Sequence, residues 1–355
     1  MTVAAAPPAW LAEVAKAVDT RLEALLDAEV ARWAGFDADL EAPLDSLRAF
    51  VLGGGKRLRP AFCHWGYVGA GGDPTDPLWV EAGAALELLH CFALVHDDVM
   101  DGSSTRRGLP TVHVAFESRH AAAGWRGEGR RFGEGAAILV GDLAFVLADR
   151  LLAGAPRPAW DVWDELRLEV NVGQYLDMLH TAMAAPTVDS AQRICTYKTA
   201  KYTVERPLHL GAALAGAVDQ STRAALTGYG LPLGEAFQLV DDLLGAFGDP
   251  RRTGKPVGDD LREGKPTRLL ALALERSVRG DLDLLRTRVG ADDLADDEVL
   301  AILGVLESTG ARAEVEAAVG DLATVALERA AELPLTPEAR AALADIAAFI
   351  VGRDH

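Results

Sequence analysis

Leu86–Asp101 reads LELLHCFALVHDDVMD, an apolar run that ends in three aspartates. The segment 78–101 around it has helical spacing and composition. Carboxylates at i and i+4 share one helix face, so Asp97 and Asp101 point the same way. Hard oxygen ligands must do so to hold Mg²⁺, which keeps several waters and is usually completed by substrate phosphates. Negative charge at a helix C-terminus opposes the helix dipole, so the cluster needs a compensating cation. Arg106 and Arg107 follow closely. His90 stands about two turns before Asp97 on nearly the same face. Taken singly, the aspartates read equally as a solvated helix end and the histidine as an ordinary satisfied polar group.

A second acidic pair makes the first more telling. Asp241 and Asp242 lie inside FQLVDDLLGAF, residues 237–247. Ionised carboxylates within so apolar a run need a partner or a metal. Lys255 and Lys265 follow, each after a glycine. The two clusters together suggest a diphosphate bridged to the protein by Mg²⁺ and gripped by Arg and Lys. The chain has 29 Arg and only six Lys, and five of those lysines (Lys56, Lys198, Lys201, Lys255, Lys265) sit beside Gly, Thr or Asp in short motifs. That placement suits a compact charge on a flexible stem that meets phosphate.

Helical patterns follow one another along the chain, at 9–33, 57–70, 133–153, 159–181, 189–217, 221–247, 266–279, 296–308, 310–332 and 336–352. No run alternates as a half-buried strand would. The fold class expected is all-α, a large helical bundle, with residues 1–355 forming one domain. GWRGEGRRFGEG, 124–135, is expected to be a mobile loop, and 248–266 a functional one. A net charge of -18 argues against nucleic acid as a partner. Cys63, Cys91 and Cys195 have no metal spacing and read as buried thiols in a reducing, cytoplasmic compartment. The N-terminus lacks the pattern of a secretory signal, and no run of 18 apolar residues suggests a membrane span.

Weaker motifs complete the set. In Gly53-Gly54-Gly55-Lys56-Arg57-Leu58-Arg59-Pro60, the glycines let backbone approach a ligand, and Lys56 with Arg59 can clamp a diphosphate. A helix C-cap with solvated charges reads equally well. Gln174 and Asp177 share one helix face, and Lys198 stands beside Thr199. Each of these alone reads as surface.

Taken in order from about residue 50 to 270, these motifs resemble those of the trans-isoprenyl diphosphate synthases, or polyprenyl synthetases. GGGKRLRP at 53–60, LVHDDVMDGSSTRRG at 94–108, GQYLD at 173–177, KT at 198–199, FQLVDD at 237–242 and GKPVGDDLREGKPT at 254–267 carry the likeness. The resemblance implies a homodimer of helical bundles, each with a deep central cavity of isoprenoid synthase type. It implies that about three Mg²⁺ ions hold an allylic diphosphate, that ionisation gives an allylic cation, and that isopentenyl diphosphate attacks it head to tail. By position, Asp97, Asp101 and Asp241 match metal ligands, with Asp98 and Asp242 in support. Arg106, Lys198 and Lys255 match the allylic-diphosphate clamp. Lys56, Arg59, His90 and Arg107 match the isopentenyl-diphosphate site. Thr199 and Gln238 match polar groups near the reacting carbons. The second motif often has a third aspartate where this chain has Gly245, which puts metal affinity on that side in doubt.

Helix geometry bears on product length. Ala93 lies one turn below Asp97 on its face, Phe92 sits at the edge of that face, and Leu89 lies a turn deeper. Phe92 closing the cavity resembles the geranylgeranyl diphosphate synthases, so a twenty-carbon product is expected. Farnesyl diphosphate is the alternative. A class I terpene cyclase fits less well because it would carry an Asn/Asp-Ser-Glu triad instead of the second pair. A non-catalytic partner subunit would have lost aspartates that both clusters keep.

Overall fold

The computed structural model describes residues 6–248 and 257–352. Its helices are α1 (Ala9–Ala34), α2 (Glu41–Leu52), α3 (Leu58–Gly69), α4 (Leu78–Met100), α5 (Val112–Ala123), α6 (Gly129–Leu151), α7 (Arg157–Met183), α8 (Val188–Ile194), α9 (Arg206–Leu214) and α10 (Gln220–Phe247), followed by shorter helices from Asp259 and then Ala311–Glu332 and Pro337–Val351. A two-residue antiparallel pair, Thr105–Arg106 with Leu109–Pro110, forms the turn after α4. The all-α expectation is met.

Local chemistry starts the helices where the sequence changes character. Asp219, Thr267 and Thr336 each accept a backbone N–H of the first turn with their side chains. Thr187 and Ser190 do so reciprocally. Each such cap satisfies an otherwise orphaned donor.

α4 is the axis on which the rest is hung. Ala82, Ala84, Ala85, Leu86, Leu88, Leu89 and Val95 along it are fully buried. It is long and apolar enough to cross a bilayer, but 61% of its apolar window is buried inside the fold. That is how a core helix behaves. α10 belongs to two apolar clusters. Leu226, Tyr229 and Leu233 join the main core with α1 to α7, and Leu239, Val240 and Leu243 join a second one with the helices after residue 259. The acidic pair of α10 therefore falls just past the boundary, in the stretch that joins the second cluster.

Two expectations are corrected. The segment 124–135 is only half loop, because α6 begins at Gly129. Gly133 lies so close to α5 that a Cβ there would stand 2.2 Å from the His113 carbonyl. Its glycine serves helix packing rather than mobility. The helix expected over 189–217 is interrupted by a π-helical stretch, Cys195–Glu205. Two glycines clamp that stretch. A Cβ at Gly173 of α7 would lie 2.4 Å from Lys198 N, and one at Gly234 of α10 would lie 2.5 Å from Ala200 Cα. Wide turns of this kind are rare and gather at functional sites. This one carries Lys198 and Thr199.

Candidate active site

Two adjoining cavities, of about 620 and 290 Å³, share Asp97, Lys198, Thr199, Gln238 and Asp241 in their walls. α4 supplies Asp97, the π-helical stretch Lys198 and Thr199, and α10 the other two.

The larger cavity is charged. Asp97 Oδ1 accepts from Gln174 Nε2 at 2.8 Å and from Lys198 Nζ at 3.1 Å. Lys198 also donates to Asp177. Burial works against the Lys198 ammonium, but Asp97 and Asp177 outweigh it and hold its pKa above the ordinary lysine value. Burial likewise opposes the Asp97 carboxylate, and Lys198, Lys265 and Arg106 hold it below the usual range nonetheless. Asp101, exposed at the end of α4 and outside both cavity linings, is pushed up to about 7 by desolvation among its neighbours and by Asp97. Across the cavity Asp242 is pushed up to about 8 by burial and by Asp260 and Asp241.

So much crowded carboxylate is what a divalent cation relieves. Among the described residues no three His, Cys, Asp or Glu side chains converge as a ready-made metal cage. An all-oxygen set with one or two carboxylates on each side suits Mg²⁺, whose shell is completed by phosphate and water. The residues present therefore fit that ion.

Gly245 is filled from elsewhere. A Cβ at Gly245 would lie 2.1 Å from Asp260 Oδ2. The Asp260 carboxylate thus stands beside Asp241 and Asp242 where a side chain from position 245 would reach. Lys265 Nζ is 3.7 Å from Asp260 and 2.5 Å from Glu263. The carboxylate in the space left by Gly245 thus comes from 15 positions further on, in the short helix Asp259–Arg262 that interrupts the loop expected over 248–266.

The family model for polyprenyl synthetases matches residues 41–306. The chain belongs to the polyprenyl synthetase family. Its fold superposes on a geranylgeranyl pyrophosphate synthase from Corynebacterium glutamicum, complexed with isoprenyl diphosphate and magnesium, with a TM-score of 0.91, 39% identity and coverage of 96% of this chain and 99% of that one. A short chain isoprenyl diphosphate synthase from Methanothermobacter thermautotrophicus is 32% identical over 340 residues, 90% of this chain and 93% of the relative. A (2E,6E)-farnesyl diphosphate synthase from Mycobacterium bovis is 33% identical over 306 residues, 84% of this chain and 80% of the relative. The protein is a trans-prenyltransferase of the geranylgeranyl/farnesyl diphosphate synthase type.

This synthetase places the remaining candidates as follows. Arg106 grips Asp98, donating from Nε at 2.8 and 3.0 Å and from NH2 at 2.7 Å. Asp98 is buried behind the cavity, and Arg106 NH2 is 3.7 Å from Asp97. Asp98 therefore seats the arginine and does not face the cavity. Thr199 donates to Gln238 Oε1 at 2.5 Å, and Gln238 Nε2 to Asp242 at 2.7 Å. Arg59 lies over the Tyr202 ring at 4.3 Å and donates to Thr203 Oγ1 at 2.9 Å. His90 lines the smaller cavity among Arg59, Arg106, Arg107 and Arg57. Burial first, and then those charges, push its pKa well below the ordinary value, so it is neutral. Arg107 donates to the Gly54 carbonyl at 2.5 Å, two residues from Lys56. Lys255 lies outside the described residues.

Some expectations fail. Lys201 does not face the cavities but pairs with Glu169. Leu89 is fully buried core and lines neither cavity. Gln174 and Asp177 are not surface: they position Asp97 and Lys198. Reading GQYLD with the lysine it faces, rather than alone, would have found them.

Proposed function

We propose that this chain condenses isopentenyl diphosphate head to tail with an allylic diphosphate (dimethylallyl, geranyl or farnesyl), and that geranylgeranyl diphosphate is its main product. The observation that carries the reading is the meeting of a charged cavity with a smaller one whose wall along α4 includes Ala93 and Phe92, at a junction lined by Asp97, Lys198, Thr199, Gln238 and Asp241. The allylic diphosphate fits the first, and the second, which Arg59 and His90 also line, takes the growing hydrocarbon tail beside isopentenyl diphosphate.

In this reading Asp97, Asp101 and Asp241 hold about three Mg²⁺, with Asp260 and Asp242 beside them. The bound ions supply the positive charge that neutralises the departing diphosphate. Lys198 offers its ammonium to the same anion, with Lys255 as a further cation. Arg106, seated on Asp98, adds its charge at that corner. Thr199 and Gln238 orient their polar atoms at the junction, where the bond forms. Lys56, Arg59, Arg107 and neutral His90 receive isopentenyl diphosphate. Ala93 leaves width for the tail and Phe92 limits its length. Farnesyl diphosphate is the second reading, supported by the farnesyl synthase relative.

The test is direct. Purified protein with Mg²⁺, an allylic diphosphate and isopentenyl diphosphate should give a linear twenty-carbon diphosphate. Cyclised products or no turnover would overturn the proposal, and a fifteen-carbon end product would overturn its finer part. The diphosphate sites are also separable. Lys56→Ala should raise the Michaelis constant for isopentenyl diphosphate about tenfold, the scale of one charge-assisted hydrogen bond, with little change for the allylic partner. An equal rise for both would remove Lys56 from that site.

The chain is taken to work as one domain, because residues of both apolar clusters build the site. A homodimer is supported by the apolar outer faces of α6 and α7, where Leu139, Val146, Leu168, Val172 and Tyr175 are each more than half exposed. Stripes of this kind mark interaction surfaces. Light scattering should give twice the chain mass of 37.6 kDa. A monomer at micromolar concentration would exclude it. Cys63, Cys91 and Cys195 are buried free thiols, as suits a cytoplasmic setting.

A further inference from the structure

The Phe92 ring in the wall of the smaller cavity packs against His96, which lines the same cavity, and we propose that His96, seated by Gly141, sets the length of the product by fixing Phe92 in place. The inference rests on the reading of Phe92 as the limit on tail length.

Two aromatic rings pack against Phe92. The His96 centroid is 4.6 Å from that of Phe92, and the Phe145 centroid 4.7 Å. His96 is one turn further along α4, while Phe145 belongs to α6. Arg167 lies 5.3 Å from the Phe145 centroid. His96 is itself tied to α6. Its Nε2 is 3.0 Å from the Ile138 carbonyl oxygen, which can only accept, so Nε2 carries the proton. The Asp142 carboxylate lies 3.9 Å from the same nitrogen.

That seat exists only because residue 141 is glycine. A Cβ there would stand 2.3 Å from His96 Nε2 and 2.4 Å from Cδ2. A methyl group would push the imidazole off α6, break its bond to Ile138 and remove the backing of Phe92. A lone aromatic side chain escapes a growing tail by changing rotamer. The His96 and Phe145 rings packed on Phe92 oppose that change, and His96 is itself bonded to α6. Nothing in the spacing around Asp97 reveals this, because the seat is formed 45 residues later.

The experiment compares wild type, Phe92→Ala, His96→Ala and Gly141→Ala with an allylic primer and excess isopentenyl diphosphate, with hydrolysed products resolved by chromatography. His96→Ala and Gly141→Ala should each raise the share of products longer than the wild-type main product about tenfold, the scale of one lost aromatic pair. Gly141→Ala should do so while the first condensation keeps a rate within a few-fold of wild type, a split that general loss of structure would not give. If Phe92→Ala lengthens the product but the other two variants keep the wild-type distribution, the lock is wrong and the Phe92 reading stands. If all three keep it, both are wrong. Circular dichroism on each variant identifies any that do not fold. Gly141→Ala, on a different helix, carries the test if His96→Ala is among them.

Discussion

Asp97→Ala is expected to lower turnover about a thousandfold or more while the protein stays folded. Asp97 is where the charged residues converge: Lys198 and Gln174 donate to one oxygen, and Arg106 lies 3.7 Å from the other. Its carboxylate is held in the ionised form by those cations against the effect of burial. An anchored anion at the junction of the two cavities is what a Mg²⁺–diphosphate pair needs, and no other residue of α4 occupies that junction. The fold has little reason to fail, because Lys198 keeps its bond to Asp177 and the lost side chain faces a cavity rather than the core. Asp97→Asn separates charge from shape. It keeps an acceptor for Gln174 and removes the negative charge, so it should fall nearly as far as alanine. Single-turnover rates with saturating Mg²⁺ measure both variants. Turnover within tenfold of wild type in Asp97→Asn would show that the charge is not what matters.

Much of this was legible in the sequence, for physical reasons that also mark where legibility stops. The helices could be read because their apolar positions repeat and their starts carry Thr or Asp caps. The aspartates stood out because ionised groups in apolar runs are expensive. What the sequence hides is contact between distant segments. Asp260 filling the space at Gly245 depends on how the short helix Asp259–Arg262 packs against α10. The π-helical stretch depends on Gly173 and Gly234 pressing from two other helices, and its residues by themselves read as ordinary α-helix. The lysine set shows the same limit. Lys198 and Lys201 look alike in sequence, and the wider turn between them sends one to the cavities and the other to Glu169.

Glu169→Ala is expected to cost about 3–5 kcal/mol of stability, because it takes from buried Arg206 both of its short carboxylate bonds and from half-buried Lys201 its partner. Glu169 accepts from Arg206 Nε at 2.6 Å and NH2 at 2.7 Å, and from Lys201. Arg206 is only 5% exposed. Burial alone would raise the Glu169 pKa, but Arg206 and Lys201 outweigh it and hold the carboxyl below its ordinary value. A depressed carboxylate contributes stability that is present above its unfolded pKa and lost as pH falls through the folded one, so wild type should weaken toward the variant in acid. An exposed pair such as Arg157–Asp161 is the control, since surface ion pairs contribute at most about 1 kcal/mol. Thermal unfolding at neutral pH should place Glu169→Ala roughly 10 °C below wild type and Asp161→Ala within about 2 °C of it. Equal melting points for the two variants would mean that the buried cations find other partners. The site should feel the change too. Glu169 ties α7 to the π-helical stretch three residues beyond Lys198, so a loosened stretch should weaken allylic diphosphate binding before it unfolds the protein. A raised Michaelis constant for the allylic substrate at a temperature where Glu169→Ala is still folded would locate the coupling there. An unchanged constant would make the Glu169 cluster a matter of stability alone.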